Sequence, residues 1–148
     1  MKAIPTAERS VFVDTGIFHA FVDRSDQDHQ TAVELFQEAE TRGQPIITSN
    51  FVVAETHALL LSKLGRQLAA RWLEAIVDYA RIQRISRADE TRAREIIFQF
   101  DDKDFSYTDA TCFAVMERLG IQTVFSLDAH FLQYGRFIVL PGSLKKHR

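Results

Sequence analysis

The sequence predicts an α/β protein of three layers, α/β/α, with a central parallel sheet covered by helices on both faces. Short apolar runs alternate with one or two amphipathic helical stretches, which is the order of elements that parallel sheets require. No internal repeat, low-complexity tract or Pro/Gly/Ser linker interrupts the 148 residues, so 1–148 reads as a single domain.

SVFVD, ending at Asp14, has the continuous apolar run of a short buried strand, and TGIFHAFV after it reads as a helix. SDQDHQTAVELFQEAETRG, residues 25–43, has a serine cap, apolar residues at Ala32, Val33, Leu35, Phe36 and Ala39, and a terminal Gly43, the pattern of another helix. PIITS is a second strand, and NFVVAETHALLLSKL a helix closed by Gly65. RQLAARWLEAIVDYA gives a further amphipathic helix, RIQRIS a third strand and ADETRAREIIFQF a helix. In DKDFSYTDATCFAVMERLG, residues 102–120, Ser106 or Thr108 can cap a helix that runs to Gly120. Asp109 falls in its first turn, where an acid interacts well with the helix dipole. IQTVFSL is a fourth strand, Asp128 can cap a short helix through AHFLQ, and FIVL makes a last short strand.

With 46% hydrophobic and 26% charged residues, the composition is that of an ordinary soluble globular protein. MKAIPTAERS has no apolar h-region and no run approaches the length of a membrane span, so a cytoplasmic protein with no membrane partner is expected. Cys112 is the single cysteine, which excludes an internal disulfide or a CxxC metal site and leaves packing as its role. A net charge of -2 argues against a binder that holds nucleic acid by bulk attraction. Committing four carboxylates to a metal would reverse that balance, so nucleic acid stays open as a substrate.

Four acids occupy unusual positions. Asp14 and Asp128 end apolar strands and project from one edge of a parallel sheet, the edge beyond which such sheets bind ligands. Glu55 has Phe51, Val52, Ala58 and Leu59 one turn away and no arginine or lysine at that spacing, which predicts an inward carboxylate in need of a partner. Asp109 has Phe105, Cys112 and Phe113 around it, with Ser106 as its only polar neighbour at that spacing. Strand-end aspartates also serve as caps and turn residues. Converging acids without a cation, however, would repel one another; a divalent metal removes the conflict, and oxygen ligands favour Mg²⁺ or Mn²⁺ over zinc.

VFVDTG, SNFVVAET, DFSYTDATCFAVM and FSLDAHF, in that order and approximate spacing, resemble the PIN-domain ribonucleases over nearly the whole chain, in particular the VapC-type toxins of bacterial toxin–antitoxin pairs. The resemblance implies a PIN-like fold and an acidic quartet, catalytic and metal-holding, at Asp14, Glu55, Asp109 and Asp128. Thr15 matches the family's hydroxyl residue after the first aspartate, Ser126 stands where the family often has threonine, and Asp104 is a candidate accessory acid. The implied activity is endonucleolytic hydrolysis of RNA with Mg²⁺ or Mn²⁺, leaving a 5′-phosphate and a 3′-hydroxyl. The implied partners are the RNA substrate, a cognate antitoxin and a second copy in a homodimer. Housekeeping RNA processing, or an RNA-binding PIN-like module without turnover, are the alternatives. An aspartyl phosphatase would need an acid two residues after Asp14, and a receiver domain paired acids and a late lysine; neither pattern is present.

Among the remaining polar residues, His19, His29 and His57 lack HExxH spacing and suit surface or packing roles, while His130 is a candidate substrate contact. Arg84, Arg87, Arg92 and Arg94 read as a solvated face, and the terminal KKHR as a candidate phosphate contact.

Overall fold

The computed structural model describes residues 9–142; the expectations attached to residues 1–8 and to the terminal KKHR fall outside them. β1 (Val11–Val13) is apolar and wholly buried, as a strand covered on both faces must be. It leads into α1 (Thr15–Val22) and α2 (His29–Thr41), then β2 (Ile46–Ser49), α3 (Asn50–Leu64) and α4 (Arg66–Tyr79). The order continues with β3 (Arg81–Gln83), α5 (Arg87–Gln99), α6 (Tyr107–Leu119), β4 (Thr123–Phe125), α7 (Ala129–Tyr134) and β5 (Ile138–Leu140).

Every strand pairing is parallel, and the sheet runs β3-β2-β1-β4-β5. Right-handed crossovers then put α1–α4 on one face and α5–α7 on the other, and the helices pack mainly within those two groups. This is the expected three-layer arrangement. Phe12, Phe18, Phe113 and Phe131 are among the largest side chains of one continuous core. From β1 the chain builds outward through β2 and β3, then returns to the opposite side of β1 as β4. A crevice opens beyond the carboxyl ends of the strands at such a reversal.

Side-chain caps set where the helices that frame this crevice begin. Ser49 accepts from Val52 N at 3.1 Å to start α3, and Ser106 and Asp109 form a reciprocal capping box at the start of α6. Gly120, at φ 73°, ends α6 in the left-handed conformation that glycine adopts without strain. Among the described residues, no helix is long and apolar enough to cross a membrane.

Two local expectations are corrected. α2 begins at His29, and Ser25 does not cap it, because two aspartates turn the chain first. Asp23 Oδ1 accepts from Ser25 N at 3.0 Å and Ser25 Oγ at 2.6 Å, and Asp26 Oδ1 accepts from Asp28 N at 2.8 Å. The arginine segment is only partly a solvated face. Arg84, Arg87 and Arg94 are exposed, but Arg92 donates to Glu117 at 3.1 Å and to Tyr134 at 3.3 Å. Asp89 within it is buried and receives two bonds from Arg118, at 2.8 and 2.9 Å, fastening α5 to α6.

Candidate metal centre

Strand register builds the first contact of the site. Val13 pairs with Phe125, so the next residues, Asp14 and Ser126, emerge side by side at the carboxyl edge. Ser126 Oγ donates to Asp14 Oδ2 at 3.0 Å and accepts from Asp128 N at 3.0 Å, linking the two strand-end aspartates through one hydroxyl. Asp14 is buried, and its carboxyl is pushed up to about 7. Loss of hydration is the main cause; the Thr15 N–H opposes it, the Asp109 and Asp128 carboxylates reinforce it, and the Ser126 hydroxyl opposes it more weakly.

Asp109 and Asp128 meet through His130. Asp109 N donates to Ser106 Oγ at 3.0 Å while Asp109 Oδ2 accepts from Ser106 N at 3.1 Å, so the capping box fixes the carboxylate. The same Oδ2 accepts from His130 Nδ1 at 2.7 Å, and that ring nitrogen lies 3.1 Å from Asp128 Oδ1. Asp128 caps α7, accepting from His130 N at 2.9 Å. The ring of Phe105 stands edge-on to the imidazole with centroids 5.6 Å apart, a packing contact that holds it. The sequence suggests His130 only as a substrate contact, whereas in the structure it bridges two of the four acids. Its position two residues after a helix-capping aspartate is the signal that could have found it.

Glu55 requires a correction. It is exposed, not inward, because the buried face of α3 is formed by Val52, Thr56 and Leu60. Its tie to the centre is Thr15 Oγ1, which donates to Glu55 Oε1 at 2.8 Å across 40 residues of sequence. Asp104 is exposed in the loop before α6, and no hydrogen bond joins it to the other acids. Asp14, Thr15, Glu55, Asp109, Ser126 and Asp128 are thus brought to one edge, and Asp104 stays outside their hydrogen-bonded chain.

The buried Cys112 registers this convergence. Its thiol is pushed well up, first by burial and then by the negative charges of Asp14, Asp109, Glu55 and Asp128. A hard divalent cation fits such a set: the donors are carboxylate oxygens joined by hydroxyls, and burial, reinforced by the Asp109 and Asp128 charges, raises the Asp14 carboxyl. One oxygen each from Asp109 and Asp128 and a ring nitrogen of His130 lie within 4.8 Å of one another, a grouping that could hold an ion.

Comparison with known proteins gives a consistent picture. A family model described as the PIN domain matches residues 11–136. The chain is 32% identical over 132 residues to the 23S rRNA-specific endonuclease VapC20 of Mycobacterium tuberculosis (strain ATCC 25618 / H37Rv), covering 88% of this chain and 98% of that protein. It is 30% identical over 126 residues to a VapC ribonuclease of Archaeoglobus fulgidus, covering 82% of this chain and 79% of that one. The crystal structure of Mycobacterium tuberculosis VapC20, described as a sarcin-ricin loop cleaving toxin, superposes with a TM-score of 0.77 at 32% identity, over 86% of this chain and 96% of that one.

Proposed function

Because this chain belongs to the PIN-domain family, we propose that it is a metal-dependent endoribonuclease, the toxin of a toxin–antitoxin pair, with Asp14, Glu55, Asp109 and Asp128 as its metal-holding catalytic acids. Mg²⁺ or Mn²⁺ is the ion that the donor set favours. The observation that carries the reading is the unbroken contact path from Glu55 through Thr15 and Asp14 to Ser126, Asp128, His130 and Asp109.

A divalent ion bound there would supply a water of lowered pKa and neutralise charge at the scissile phosphate. The chain's own residues do the positioning. Thr15 holds the exposed Glu55 carboxylate at the rim. Ser126 keeps Asp14 and Asp128 in register, and the carboxyl of Asp14 gives up a proton when a cation arrives. His130 spans Asp109 and Asp128 through Nδ1 and holds the two side chains together. α1, α3 and α6 begin at this edge, so their N-terminal N–H groups favour the approach of an anionic phosphate that the acids alone would repel. Beside Glu55, Asn50, Phe51, Ala54 and Thr108 line a shallow groove, and the Phe51 and Tyr107 rings, 6.0 Å apart, offer an unstacked base an aromatic surface.

The 32% identity to the 23S rRNA-specific VapC20 supports ribosomal RNA as the first substrate to try. Purified protein is expected to cut 23S rRNA with Mg²⁺ or Mn²⁺, to stop in EDTA, and to lose the activity on Asp14→Asn. Cleavage that persists in excess chelator, or in the Asp14→Asn protein purified identically, overturns the mechanism.

A further inference from the structure

A second convergence of ligand-type side chains lies on a segment that the acid centre does not use. His19, on α1, is 8% exposed. Its Nε2 is buried and makes no hydrogen bond, although Asp23 Oδ2 is only 3.3 Å away. On the other ring nitrogen, Asp26 Oδ2 lies 3.4 Å from Nδ1. One ring nitrogen and one oxygen from each aspartate fall within 4.8 Å of one another.

An ion binds one ring nitrogen, and the separation between the unpartnered Nε2 and Asp23 Oδ2 suits two ligands of a shared cation better than it suits an ion pair. A charge-assisted N–H···O bond closes to about 2.7–2.9 Å. Neighbouring ligands of a tetrahedral ion with bonds of about 2.0–2.1 Å stand about 3.3–3.4 Å apart. The turn after α1 prepares both carboxylates. Oδ1 of Asp23 is occupied by Ser25, and Oδ1 of Asp26 by Asp28 N, so each presents Oδ2 to the imidazole. Outer hydrogen bonds of this kind orient ligands in metal sites. We propose that His19, Asp23 and Asp26 form a second metal site, which takes a first-row transition ion of the Zn²⁺ type. A ring nitrogen with two carboxylates selects such an ion over Mg²⁺, whose preferred ligands are all oxygen. Three protein ligands leave one position for water. Thr15 and His19 are one turn apart on α1, so the ion would pin the far end of the helix whose first turn holds Glu55.

The proposal is independent of the ribonuclease reading, and its test removes the acid centre. In full-length protein carrying Asp109→Asn and Asp128→Asn, calorimetric titration with Zn²⁺ is expected to show one bound ion and a raised melting temperature. Adding His19→Gln, or separately Asp26→Asn, is expected to weaken Zn²⁺ binding by more than about tenfold, at least the loss seen when a ligand's outer partner is removed. Circular dichroism in EDTA checks that each variant is folded, and the half-buried Asp26 provides the test if His19→Gln is not. Absence of Zn²⁺ binding in the starting variant overturns the proposal. So does binding that neither added substitution weakens.

Discussion

The Asp14 carboxyl sits close to the midpoint of its titration at neutral pH, since burial raises it from an ordinary value of 3.8 to about 7. A raised carboxyl favours folding only while it is protonated. The contribution is present in full below about pH 4 and is lost as the pH climbs through 7. Urea melts in EDTA are therefore expected to show stability falling between pH 5 and pH 8 by a few kcal/mol at most, at a limiting slope on the order of 1.4 kcal/mol for each pH step of one. Asp14→Asn should flatten that slope; an unchanged slope in the variant assigns it to other groups. Because a cation displaces the proton, Mg²⁺ affinity measured by titration should strengthen by up to about tenfold for each step of one in pH below 7. Asp109 bears on stability differently, since its carboxylate serves a capping box and accepts from His130. Asp109→Asn is expected to cost the metal-free protein about 1 kcal/mol of stability through the lost cap and charge, read as a modestly lower melting temperature, and to abolish the Mg²⁺ response in the same melts. Asp14 and Asp128 were legible in the sequence because an acid ending an apolar strand has its edge fixed by the strand. How Glu55 is held, and that His130 bridges two of the acids, were not, because a hydroxyl 40 residues away and a ring folded back over a cap leave no periodic trace.

Helix joints decide how firmly those residues are held. α6 carries Asp109 in its first turn and Arg118 in its last, and Arg118 is locked to Asp89 of α5 by two hydrogen bonds. Breaking a buried pair by removing one partner costs about 3–5 kcal/mol. The guanidinium here is 39% exposed and solvent screens it, so Arg118→Ala is expected to cost about 1–3 kcal/mol in urea melts while leaving Mg²⁺ affinity largely intact. A variant as stable as wild type would mean that the aromatic contacts of α6 and α7 suffice; Phe113 and Tyr134, stacked at 4.3 Å, are the tightest of them. At this scale the strands and most helices were readable from periodicity, and Gly65 and Gly120 marked two helix ends correctly. The start of α2 was not, because Asp23 and Asp26 hold local turns that compete with capping by Ser25. Exposure of Glu55 was misjudged for a related reason: neighbours one turn away give the faces of a helix but not which face meets the sheet.

For the molecule as a whole, the parallel order β3-β2-β1-β4-β5 followed from alternating elements, while the reversal at β1 could not be read from any single segment. The proposed toxin role is tested in living cells. Expression alone is expected to arrest growth, the Asp14→Asn form is expected to be tolerated, and coexpression of a cognate antitoxin is expected to restore growth; harmless expression of the active enzyme would favour RNA processing instead. Sedimentation would check the expected homodimer. The bond from Ser126 to Asp14 spans 112 residues and has a consequence for biosynthesis. A ribosome makes Asp14 well before Ser126, Asp128 and His130, so a growing chain that has not reached His130 has no complete centre. The acids of the centre therefore cannot be joined before residue 130 is made, and the fragment preceding Gly120 lacks Ser126, Asp128 and His130 altogether.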